Sequence, residues 1–90
     1  MAEKRERMDV VYDILNAVIK HNNKIGPTRL IQLSNLSPAM FREYTNELVK
    51  QQILNEHTDK TKKFYSITNK GYSFIEKYKT FKKFIDELGI

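Results

Sequence analysis

Arg42, Glu43 and Asn46 are the residues of this sequence best placed to do chemistry on a partner, and that chemistry is recognition rather than reaction. If their segment is helical, all three share one face, because residues three and four apart are neighbours on a helix. An arginine can pair bidentately with guanine, an asparagine with adenine, and a glutamate can accept from cytosine. Asn46 could equally meet a phosphate, and Glu43 could simply hold Arg42 in place. Any amphipathic helix has a solvated face, so the trio takes its meaning from its surroundings. Lys60, Lys62 and Lys63 crowd around Thr61 to form a compact positive tip. Such a tip can follow a sugar–phosphate backbone and release counterions, or it can be an ordinary solubilising turn diluted by Asp59. Thr28, Arg29 and Ser37 each stand at the start of a candidate helix, where backbone N–H groups can meet phosphate.

Catalytic chemistry has little to work with. His21 and His57 are the only histidines, and neither has the spacing to a second histidine or carboxylate that a metal site needs. There is no cysteine, which removes disulfides, thiolate catalysis and cysteine-bound zinc together. Three glycines do not make a phosphate-binding loop. The carboxylates are scattered among lysines. The expectation is a binding protein with no enzymatic activity, no metal, no cofactor and no evident small-molecule ligand.

The elements that must position the trio can be read from periodicity and punctuation. A first helix is expected from about Glu3 to His21, with Met8, Val11, Ile14, Leu15 and Val18 as its apolar stripe. Val10, Ala17 and Ile19 widen that stripe. Lys4, Arg5 and Arg7 could form a basic arm, but Glu3 and Glu6 are interleaved with them, a pattern that favours ion pairs on the helix surface. Ile25 reads as a one-rung strand. Gly26-Pro27 opens a second helix, Pro27 to Ser34, with Leu30, Ile31 and Leu33 as its buried side. Asn35 supplies a left-handed corner. Ser37 caps a third helix that runs to about Gln52, buries Phe41, Tyr44 and Leu48, and turns Ala39, Arg42, Glu43, Asn46 and Lys50 outward. Residues 53–67 form a hairpin whose returning strand puts Tyr65 and Ile67 on one face and Phe64 and Ser66 on the other. Thr68 caps the last helix, Asn69 to Leu88, and close packing is a reason for Gly71 to stand three residues into it. The fold class is mainly α with a small β-hairpin wing: a winged helix-turn-helix with a long C-terminal helix.

That last helix carries more apolar surface than one small domain needs. Phe74, Tyr78, Phe81, Ile85 and Leu88 step by four, three, four and three, which is a heptad seam. At about 20 residues the helix spans ~30 Å. Either it pairs with a second copy through this seam, or it folds back on the first helix of its own chain.

Composition agrees with nucleic acid as the partner. Ninety residues suffice for one domain, and a net charge of +5 with a pI near 9.5 favours an anionic target. No apolar run approaches the ~20 residues of a membrane span. Residues 1–8 are charged and lack the apolar stretch of a secretory signal. A cytoplasmic, nucleoid-associated protein is expected.

Several short strings resemble the small archaeal winged-helix DNA-binding proteins. They are Asn35-Leu36-Ser37, then Tyr44 and Leu48, then Ile53-Leu54, and most specifically Tyr65-Ser66-Ile67-Thr68-Asn69-Lys70-Gly71. The resemblance extends from about Arg5 to Leu88. It implies a recognition helix at Pro38 to Gln52 and a wing at Asp59 to Lys62. Members of that group include chromatin-associated proteins that dimerise through a C-terminal antiparallel coiled coil, and transcriptional regulators, some carried by archaeal viruses. The last helix here has room for only about two heptads, too few for a long rod. The expected function is binding of double-stranded DNA as a homodimer, as a transcriptional regulator. DNA packaging without base readout and a protein–protein interaction module are the alternatives.

Overall fold

The computed structural model describes residues 6–89. Four helices and one antiparallel hairpin follow in the order α1 (Arg7–Lys20), α2 (Pro27–Ser34), α3 (Pro38–Lys50), β1 (Leu54–Asp59), β2 (Lys62–Ile67) and α4 (Asn69–Leu88). The expected start of the first helix at Glu3 lies outside the described residues, as do Lys4 and Arg5. Among the described residues no helix is long and apolar enough to cross a membrane.

α1 opens on Glu6, whose backbone N–H donates to Asp9 Oδ2 at 3.1 Å, and it buries Val10, Ile14, Leu15, Ala17 and Val18. Met8 does not join that set. The buried arc is centred on Ile14 and Val18, and at 3.6 residues per turn Met8 falls at its edge, 43% exposed. The helix ends through two consecutive left-handed asparagines, Asn22 and Asn23, a conformation that asparagine tolerates better than most residues. Asn23 then ties the loop to the hairpin, its Oδ1 accepting from the Ile67 N–H at 2.7 Å.

Ile25 is a one-rung strand. Its N–H donates to Tyr65 O at 3.3 Å, and Tyr65 N–H donates back to Ile25 O at 2.8 Å. In α2 the buried row is Leu30 and Ser34, four residues apart. Leu33, expected inside, is turned about 80° from the centre of that row and lies on the surface. Ser34 can be buried because its hydroxyl donates to the Leu30 carbonyl at 2.6 Å. Asn35, at φ 55°, makes the corner into the next helix.

β1 and β2 pair in register from Leu54↔Ile67 to Asp59↔Lys62, so only Lys60 and Thr61 lie outside the ladder. Leu54, Tyr65 and Ile67 face inward and meet Ile14, Leu15, Val18, Leu30, Phe41, Leu48 and Ile75 in one core. Full burial of each such aliphatic side chain contributes roughly 1.5–3 kcal/mol.

The junction of α3, the hairpin and α4 is built on Thr68. Its hydroxyl accepts from Gly71 N–H at 3.1 Å as the cap of α4 and lies 2.7 Å from Gln52 O and 3.0 Å from Ile53 O, to which it donates. A Cβ on Gly71 would stand 2.4 Å from Ile67 Cγ1 and 2.6 Å from Ile53 O, so the helix can approach the hairpin this closely only with glycine there. The whole is a winged helix carrying a long fourth helix.

Candidate nucleic-acid interface

α3 is fixed at both ends. Ser37 Oγ accepts from Met40 N–H at 3.2 Å, and Pro38 starts the helix with a preset backbone angle. Lys50 ends it, Gln51 caps it, and Gln52 enters the left-handed region at φ 63°. Its buried side is Phe41, Thr45 and Leu48, with Tyr44 only half-buried. Thr45 is a core residue that apolar periodicity does not pick out. Its hydroxyl satisfies itself on Phe41 O at 2.9 Å, which is how a polar residue holds a core position inside a helix. Phe41 packs edge-on against Tyr65 with centroids 6.0 Å apart, locking α3 to the hairpin.

With that side fixed, Ala39, Arg42, Glu43, Asn46 and Lys50 are all exposed on the other. Arg42, Glu43 and Asn46 therefore share an open face. Glu43, Asn46 and Lys50 also line a groove of about 460 Å³ whose far wall is Arg7 of α1. Arg7 Cζ lies 5.2 Å from the centroid of the Tyr44 ring. Glu3, Lys4 and Arg5, with which surface ion pairs are expected, lie outside the described residues. Among the described residues the recorded partner of Arg7 is an aromatic ring.

The wing tip presents Lys60 and Lys62 to solvent. Lys60 sits at φ 59°, a left-handed position in a two-residue turn that would normally favour glycine or asparagine. Lys63, one step back, lies 3.6 Å from Glu56 across the hairpin in an exposed ion pair. Such a pair is worth little and yields readily to a competing anion. Thr28 and Arg29 are exposed at the start of α2, with Arg29 donating to Gln32 Oε1 at 3.4 Å. Ser37 has its acceptor engaged as a cap, and its hydroxyl hydrogen can donate elsewhere.

The outer face of the hairpin holds a cluster that spacing did not reveal. The His57 ring stacks on Phe64 with centroids 4.8 Å apart, and His57 Nε2 is hydrogen-bonded to Ser66 Oγ at 2.7 Å. Lys24 Nζ lies 4.7 Å from the Phe64 centroid. Lys24 is thus a further cation at the base of the wing. The Ile25 rung is the signal that could have found it, because that pairing carries Lys24 to the strand holding Phe64. No group of three or more metal-ligating side chains occurs among the described residues.

α4 divides its aromatic residues between two uses. Tyr78 stacks on Tyr12 of α1 with centroids 4.4 Å apart, and its hydroxyl donates to Asp9 Oδ1. Phe74 is half-buried against the core, and Ile85 is half-buried as well. Phe81, Phe84 and Leu88 are 47%, 55% and 55% exposed. The five-residue seam therefore is not one open stripe, because Phe74 packs against the core and Tyr78 stacks on α1 of the same chain.

A search of curated protein sequences found no match. Solved structures are more informative. Sso10a-2, a DNA-binding protein from Sulfolobus solfataricus, is 31% identical with a TM-score of 0.81, the match covering 93% of this chain and 85% of that one. F93 from STIV, a winged-helix DNA-binding protein, gives a TM-score of 0.75 at 22% identity over 89% of this chain and 92% of its own. F-93 of SSV1 gives 0.67 at 17% identity, over 98% and 99% of the two chains. These last two share the fold. Residues 4–86, which contain α3, the wing and almost all of α4, match the sequence pattern of the winged helix-turn-helix proteins, and the chain belongs to that family.

Proposed function

We propose that this protein binds double-stranded DNA as a homodimer and acts as a transcriptional regulator. The observation that carries the reading is the open face of α3, capped at Ser37 and flanked by a cationic wing tip. An α-helix fits the major groove, so Arg42, Glu43 and Asn46 read base edges while Lys60, Lys62, Lys63, Thr28, Arg29 and Ser37 hold the backbone. The 31% identity to a protein described as DNA-binding supports the same reading. Glu43 and Glu47 on α3 favour a regulator over a packaging protein. Carboxylates weaken indiscriminate attraction to phosphate, whereas Glu43 can accept a hydrogen bond from a cytosine amine. The exposed Phe81, Phe84 and Leu88 support pairing through α4, since so much apolar surface on one helix end calls for cover.

Mobility shifts on a random duplex and on duplexes enriched by selection, each at two salt concentrations, test this. A regulator enriches a defined site, holds it against competitor DNA, and loses discrimination at one position in Arg42→Ala and at another in Asn46→Ala, by about 1–3 kcal/mol each. Complete loss to competitor with no enriched site would favour packaging. No shift at low salt would leave only the protein–protein module.

A further inference from the structure

α1 contributes a cation to the edge of the α3 face. Arg7 belongs to the first turn of α1, far from α3 in sequence, yet it shares a groove with Glu43, Asn46 and Lys50. The centroid of the Tyr44 ring lies 5.2 Å from Arg7 Cζ. A guanidinium carries five N–H donors, and a ring contact through its charge leaves donors for another acceptor. Among the described residues no recorded ion pair takes those donors.

The dimensions of the duplex supply the acceptor. A helix with its side chains is about 10–12 Å across and the major groove about 12 Å wide, so whatever flanks an inserted helix stands beside a phosphodiester strand. On this flank Glu43 and Glu47 face one cation of α3, Lys50, and the balance without Arg7 is negative. Arg7 removes that deficit. Its forked guanidinium also suits phosphate geometry better than an ammonium would.

We infer that Arg7 is a DNA-backbone contact, held over Tyr44 and presented to the strand beside α3, so that the start of α1 belongs to the interface. The inference rests on α3 being the DNA-contacting helix.

Fluorescence anisotropy of a labelled random-sequence duplex, titrated at several salt concentrations, tests it. Arg7→Met keeps an unbranched side chain over the ring but removes the charge, and should lower the slope of log K against log salt by about 0.9, the value for one phosphate. Arg7→Lys should keep the wild-type slope. Tyr44→Met should weaken binding in the wild-type background and much less beside Arg7→Met. A wild-type slope in Arg7→Met overturns the contact, and equal losses from Tyr44→Met in both backgrounds overturn the positioning by the ring. Absence of any wild-type binding at low salt overturns the reading of α3 as well, and so is distinguishable from failure of Arg7 alone.

Discussion

Asp9 joins the start of α1 to α4. One carboxylate oxygen accepts from the Glu6 N–H that opens α1, and the other accepts from the Tyr78 hydroxyl and lies 3.8 Å from Lys82 Nζ. Burial first, then the hydrogen bond to Asp9 and its negative charge, push the Tyr78 hydroxyl well above the ordinary tyrosine value of 10. A group raised on folding stabilises fully below its unfolded value and loses that contribution as pH climbs through its folded value. Stability from this contact should therefore be constant at neutral pH and decline above about pH 10. Tyr78→Phe should be less stable by about 1 kcal/mol at pH 7, the net worth of one partly exposed hydrogen bond, and the gap should close above pH 10. Circular-dichroism melts from pH 7 to 11 measure it, and a gap independent of pH would show that the hydroxyl is not responsible. Some alkaline sensitivity should survive in the variant, because burial and the neighbouring Glu56 also raise the Tyr65 hydroxyl.

Among the elements, the start of α4 is held close to the hairpin. Alanine at position 71 would gain about 1 kcal/mol of helix propensity but must displace the Ile67 side chain and the Ile53 carbonyl, and overpacking of that kind costs about 1–3 kcal/mol. Because one of the two obstacles is backbone, the upper part of that range should apply, and Gly71→Ala should lower the melting temperature by roughly 5–10 °C. The helix ends are legible in the sequence because caps and corners are local. Thr68 before a helix, Gly26-Pro27, the left-handed Asn35 and the Ser37 cap act within a few residues of themselves, whereas the reach of Thr68 to Gln52 and of Gly71 to Ile53 does not. What escaped was non-local or depended on angle. Leu33 is apolar in an apolar-periodic helix, and only the position of the Leu30–Ser34 row sends it outward. Arg7 on Tyr44 and Lys24 on Phe64 join residues that no periodicity relates. The Arg42, Glu43 and Asn46 face could be drawn from spacing alone, but a base-reading arginine and a solvated one look the same in a sequence. The neighbours of the face, not its composition, distinguish it.

The described residues measure 49 × 31 × 22 Å, and the far end of α4 carries the exposed Phe81 and Phe84. If a second copy covers them, wild type should sediment as a dimer. Phe81→Lys combined with Phe84→Lys should sediment as a monomer with unchanged helicity, since both side chains already lie in water in the single chain. A wild type that stays monomeric at high concentration would exclude pairing through α4. The joint around Thr68 acquires a new role in such a dimer. The end of α3 and the beginning of α4 are bolted together by the Thr68 hydroxyl on Gln52 and Ile53, by Lys70 Nζ donating to Gln51 O at 2.9 Å, and by the bare Cα of Gly71. Two such units joined through α4 would behave as a calliper with stiff arms. Its jaws, the two α3 helices, would be set to one opening, and a pair of half-sites one turn or about 34 Å apart would be gripped or refused by distance before any base was read.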